Sequence, residues 1–190
     1  MDLFMSTQLP THLQQIQAYA TKAGLFSYAP WMKTAYQELG QSEVAGPKAN
    51  PKIIQYFSAA KFWGTDDSGG KNAWCASFVA WVMQKHGYTP VKNAFRAKSW
   101  KDFGKTINAP VQGAIAIKSR AGGGHVGFVV GQSATGNNLF ILGGNQGNKV
   151  SIARYPASVW ETFVVPATFD ESSGLLPIYT SPAVAASTEA

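Results

Sequence analysis

Cys75 is the only cysteine in the chain. It stands in Gly70-Lys71-Asn72-Ala73-Trp74-Cys75-Ala76-Ser77-Phe78-Val79-Ala80-Trp81, where a glycine-rich loop gives way to an apolar run. A thiol at a helix start lies near the positive end of the macrodipole, which favours thiolate over thiol. The same helix start leaves backbone N–H groups without intrahelical partners, ready to hold an oxyanion formed by attack on a carbonyl. By residue type alone, a lone cysteine in an apolar helix is just a small buried hydrophobe. The chemistry therefore depends on partners. Gly122-Gly123-Gly124-His125 offers a base: a histidine at the mouth of an apolar strand, among glycines that let backbone or substrate approach closely.

A count along the next hairpin offers the third group. Its connection, Gln132 to Asn137, centres near Thr135. That centre pairs His125 with Asn145, Gly127 with Gly143, Phe128 with Leu142 and Val129 with Ile141. Alternation puts His125, Gly127, Gly143 and Asn145 on one face, and Phe128, Val130, Phe140 and Leu142 on the other. The glycine strip is expected to be the bed for the Cys75 helix, with His125 and Asn145 at its rim. Asn145 would accept from one ring nitrogen and turn the other towards the thiol. Taken singly, His125 could end a surface loop and Asn145 could be turn chemistry in Gly143-Gly144-Asn145-Gln146-Gly147. Their conjunction with a helix-start cysteine points to nucleophilic catalysis.

The elements that must position these groups follow from periodicity. Residues 11–23 predict an amphipathic helix with Gly24 as its C-cap, and Pro30 opens a second helix carrying Trp31, Ala35 and Leu39. After the turn cluster Ala45-Gly46-Pro47-Lys48-Ala49-Asn50-Pro51, residues Ile53, Ile54, Tyr56 and Phe57 predict a third. Asn72 reads as the N-cap of the nucleophile helix, which runs to His86 and stops at Gly87. It is apolar nearly all round and so should be central and buried. Beyond Pro110 the period becomes two, predicting strands at 113–118, 125–130, 138–144, 149–155 and 161–165. Short links make these antiparallel neighbours. The fold class expected is α+β, helices packed on one face of a roughly five-stranded antiparallel sheet.

Composition sets outer bounds. One cysteine excludes an internal disulfide and a multi-thiolate zinc site. His12, His86 and His125 share no metal-ligand spacing, so neither metal nor cofactor is expected. No run approaches the ~18 apolar residues of a membrane span. Met1-Asp2-Leu3-Phe4-Met5 lacks the basic start of a signal peptide, so export would need another route. The net charge of +6 favours an anionic partner such as acidic lipid or bacterial wall. Nucleic acid is disfavoured because no binding motif accompanies the charge.

The order Trp74-Cys75-Ala76-Ser77-Phe78-Val79, Gly123-Gly124-His125-Val126-Gly127 and Gly143-Gly144-Asn145-Gln146 resembles the papain-like cell-wall cysteine hydrolases of the CHAP and NlpC type. Gly46-Pro47-Lys48-Ala49-Asn50-Pro51 and Ala97-Lys98-Ser99-Trp100 extend the likeness, which runs from about Pro30 to Pro166. It implies a papain-like domain over 30–169, between an N-terminal helical extension (1–29) and an extended C-terminal tail (170–190). Cys75 would be the nucleophile, His125 the general base and Asn145 the orienting group. Some relatives use Glu, Asp or a second His in that third role. This chain also departs from the pattern at Gly113-Ala114, where relatives often carry an acidic residue.

Flanking residues Asp67, Lys71, Asn72, Trp74, Trp100, Gly124 and Gln146 are candidates for substrate contact, with loop solvation or core packing as the plainer role of most. The activity implied by the resemblance is hydrolysis of peptidoglycan amides. Without a recognisable signal peptide or separate wall-binding domain, the setting expected is an antibacterial effector exported by a contact-dependent route such as type VI secretion. It would be made in the cytoplasm, act in a target cell's periplasm or wall, and be blocked by a cognate immunity protein. A phage or prophage endolysin with the same chemistry and a catalytically inactive wall-binding module remain alternatives. A protein-directed transferase or deamidase with the same triad also remains open.

Overall fold

A computed structural model of the chain describes residues 11–22, 24, 28–46, 48–68 and 72–185. Four α-helices are described: α1 (Thr11–Lys22), α2 (Trp31–Gln37), α3 (Pro51–Ala59) and α4 (Cys75–Lys85). Pro30 stands at the N-cap of α2. Asn50 caps α3, its side-chain oxygen accepting from Lys52 N–H at 2.8 Å, with Pro51 in the first turn where its missing N–H costs nothing. Every residue of α4 from Cys75 to Met83 is buried, as its apolar circumference requires. Gly87, at φ +78, ends it.

Six strands form an antiparallel sheet: β1 (Lys105–Ile107), β2 (Ile115–Arg120), β3 (Gly123–Gln132), β4 (Asn138–Gly143), β5 (Ser151–Pro156) and β6 (Thr162–Val165). A short β7 (Val184–Ala185) adds in parallel to β5, giving the order β1-β6-β2-β3-β4-β5-β7. The α+β class and the central strands agree with expectation. β1 and β7 are additions, at three and two residues too short to show a period.

The hairpin count holds where it can be read: Phe128 faces Leu142 and Val129 faces Ile141. A register shift between Val129 and Gly131 displaces the far end. The helices, however, do not lie on the glycine strip. They pack on the other face, where Phe78, Val126, Phe128, Val130, Phe140 and Leu142 share one core with Trp31, Tyr56 and Trp74. The face of Gly127 carries a second core of Ala116, Val129, Ile141, Tyr155 and Trp160. The reason is volume. Large apolar side chains gain about 1.5–3 kcal/mol each by burial against a helix, whereas the space over Gly127 and Gly143 is taken by Ile141 and the Gln146 carboxamide.

Both ends of the described residues pack on this body. Ile16 and Ala20 of α1 are in the main core. Tyr179 packs its ring on Tyr19 and Phe140, with centroids 4.7 and 4.6 Å apart. No described helix is long and apolar enough to cross a membrane.

Candidate active site

Helix α4 begins at the candidate nucleophile itself. Cys75 is the first helical residue and Trp74 the N-cap, with no side-chain cap. Asn72, expected to cap, instead donates Nδ2–H to Asp66 O at 2.9 Å. The first intrahelical bond runs from Phe78 N–H to Trp74 O. The N–H groups of Cys75, Ala76 and Ser77 therefore stand ahead of the helical ladder, as an oxyanion site requires.

Cys75 is 4% exposed and His125 1%. The sulfur hydrogen-bonds the His125 ring and receives the Val126 N–H. Burial pushes the thiol up. The His125 hydrogen bond and charge, the Val126 N–H and the Arg120 guanidinium outweigh it, so the thiol ionises below its usual range.

The far side of the imidazole is held by Gln146. Its Oε1 lies 3.1 Å from His125 Nε2 and accepts from Tyr155 O–H at 3.0 Å. Its Nε2 donates to Ser151 O at 2.7 Å and Ile141 O at 3.2 Å. Two carbonyls can only accept, so they fix which end of the carboxamide is nitrogen. Oε1 must then accept from His125, which places a proton on ring Nε2 and leaves Nδ1 for the thiol. The ring also packs against Tyr155 and Trp160, centroids 5.9 and 6.1 Å away.

Asn145 does not occupy the expected place. The β4 ladder ends at Gly143, and Asn145 adopts φ +56, turning the chain out of register. Its buried Oδ1 has no hydrogen-bond partner. The next residue, Gln146, is thereby swung behind His125. Gly144 enables the turn to meet α4: a Cβ there would lie 2.7 Å from Trp74 Cζ3 and 2.8 Å from Phe78 Cβ.

The cleft beside Cys75 has a volume of about 630 Å³ and is bordered by Ala73, Arg96, Lys98, Arg120 and Gly124. Of the expected contact residues, Gly124 lines it. Trp74 and Trp100 are fully buried and do not, which corrects their expected place. Their indoles serve the fold, donating to Glu43 Oε1 and Ala94 O respectively. Asp67 is likewise buried, its Oδ2 accepting from Val44 and Asn50 N–H. Lys71 lies outside the described residues. Trp63 is 76% exposed and stacks edge-on against Phe95. A second cleft of similar size lies beyond Phe95 and does not reach Cys75.

Sequence reasoning missed Arg120 and Tyr155. Arg120 faces Gly123 across the β2–β3 hairpin, so the count used for the next hairpin would have found it. Tyr155 carries no local signal, because it reaches the imidazole through β5.

Residues 65–145 match the family model of the CHAP domain. Domains of this family are in general cysteine- and histidine-dependent amidohydrolases or peptidases acting on peptidoglycan. No curated protein and no solved structure matches the chain significantly.

Proposed function

We propose, on the premise that residues 65–145 form a CHAP domain, that the chain is a cysteine-dependent peptidoglycan amidase or endopeptidase. The observation that carries this reading is the continuous relay from the Cys75 thiol through His125 to Gln146 and Tyr155. The Cys75 thiolate attacks the carbonyl carbon of a stem-peptide amide. The backbone N–H of Cys75 receives the oxyanion. As the C–N bond breaks, the imidazolium gives its Nδ1 proton to the leaving amine, and a thioester remains. His125 then takes a proton from water, hydroxide attacks the thioester, and the acid product leaves as the thiol re-forms. Gln146 and Tyr155 hold the ring without touching substrate, and are positioning residues in this scheme.

The setting proposed with it is an antibacterial effector acting on a target cell's wall. The net charge of +6, suited to an anionic wall, supports the wall as its place of action. Expression directed to the periplasm should then be lethal and expression in the cytoplasm harmless. Co-expression of a cognate inhibitor that closes the Cys75 cleft should restore growth.

The deciding experiment is digestion of purified peptidoglycan with mass spectrometry of the fragments. Cys75→Ala should lower fragment release by roughly 10³-fold or more while leaving the thermal melt close to wild type. Release by that variant at the wild-type rate would overturn the reading.

A further inference from the structure

We propose that the cleft beside Cys75 is a carboxylate subsite, selecting substrates that carry a free carboxylate next to the amide being cleaved. The inference rests on the amidase reading above and names its substrate class.

The charges at the cleft are one-sided. Arg96, Lys98 and Arg120 border it, and among the described residues that line it Asp102 is the only acidic one. Two of the three cations are tied to the strand that carries the base. Arg120 Nε–H donates to Gly124 O at 3.3 Å, which holds the guanidinium beside the residue preceding His125. The Lys98 stem lies over the same glycine, its Cγ 3.2 Å from where a Cβ on Gly124 would stand. Arg96 rests its guanidinium over the Phe95 ring at 5.6 Å. Gly122, Gly123 and Gly124 border the same cleft, and nothing lies within 4 Å of where a Cβ on either of the first two would stand.

A cleft lined by one sign of charge concentrates the opposite charge, and guanidinium and ammonium groups bind carboxylate through charge-assisted hydrogen bonds. The ligand must also present an acyl carbon to Cys75, which bounds the same cleft. A peptide that combines both features has a free carboxylate within a residue or so of its scissile amide. Its carboxamide twin has the same shape without the charge, and the cleft discriminates between them.

Two synthetic stem peptides, identical except that this carboxylate is free in one and amidated in the other, test the inference. Wild-type protein should cleave the free acid with kcat/KM about tenfold or more above that of the amide, the usual scale of a charge-assisted contact. In Lys98→Gln combined with Arg120→Gln the ratio should fall towards one. Arg120 also acts on the thiol, but that effect is common to both peptides and cancels in the ratio. Equal cleavage of the twins by wild type, or a ratio that survives the double substitution, overturns the subsite. Binding of the same twins to Cys75→Ala, measured by calorimetry, separates this from the amidase reading. Tighter binding of the acid without cleavage by wild type would sink the hydrolytic reading and keep the subsite; equal binding would sink the subsite alone.

Discussion

Gln146 Oε1 lies 3.1 Å from His125 Nε2 while the nitrogen of the same carboxamide donates to the Ile141 and Ser151 carbonyls. One side chain thus reads two backbone acceptors and passes the result to a ring nitrogen. The tautomer of His125 is set by β4 and β5 and not by the imidazole itself.

Gln146→Ala should lower kcat by about 10²-fold or more through loss of ring orientation. It should also cost stability of about 1–3 kcal/mol, because two buried carbonyls lose their donor. Tyr155→Phe keeps the ring packing and removes one hydroxyl, so a drop of only several-fold in kcat is expected at a cost of about 1 kcal/mol. Asn145→Gly retains the left-handed backbone that φ +56 demands, and its kcat should stay within about threefold of wild type. Steady-state kinetics on one peptide substrate, with melts of each variant, decide the matter. If Asn145→Gly were as damaging to kcat as Gln146→Ala, the orienting role would pass to Asn145.

The acidity of the thiol gives a pH signature. With the Cys75 pKa below its usual range, alkylation by iodoacetamide should reach its plateau at lower pH than for an ordinary thiol. Arg120→Gln removes one of the charges responsible and should move the inflection up. The same shift has a consequence for stability. Between the folded and unfolded pKa values the unfolded chain binds more protons, so stability rises with pH across that window. The contribution is full above the unfolded thiol value and is lost as pH falls through the folded one. In urea titrations the stability difference between wild type and Cys75→Ala should grow with pH across that window and become constant on its acidic side. An inflection at or above the ordinary thiol range would contradict the hydrogen-bonded pair.

Gly144→Ala tests whether the turn and the nucleophile helix are in obligatory contact. The new methyl would overlap the Trp74 ring and Phe78 Cβ, so a loss of about 1–3 kcal/mol is expected. Activity should fall further than the melt explains, because the displaced turn carries Gln146. Gly123→Ala meets nothing within 4 Å and needs no positive φ, and its melt should match wild type. Equal melts for both variants would mean that the turn moves freely.

How far the sequence carried this picture depends on where each inference drew its signal. Periodicity placed α4 and the middle strands, because a helix buried from Cys75 to Met83 and strands with apolar alternation bury enough surface to dictate their own form. The count from Thr135 reached Phe128–Leu142 correctly and failed where it ran past the end of the ladder. Nothing in period two announces that Asn145 will leave β4 in a left-handed conformation, and that single rotation exchanges Asn145 for Gln146 behind the base. Asn72 has the chemistry of an N-cap, but the helix starts at Cys75 with Trp74 at the cap position, and the Asn72 amide nitrogen donates to Asp66 O. Trp74 and Trp100 look alike in sequence to an exposed aromatic such as Trp63; only the packed structure assigns the first two to the interior.

The solitary thiol has a chemical consequence beyond its role as nucleophile. A thiolate oxidised to sulfenic acid is normally rescued by a neighbouring cysteine that forms a disulfide, and this chain has no second cysteine to do so. Oxidation of Cys75 therefore has no internal way back, and further oxidation to sulfinic acid ends the working life of the molecule. The walls that leave Cys75 only 4% exposed are its defence. Because the sulfur opens onto the substrate cleft, a bound peptide would also shield it from peroxide.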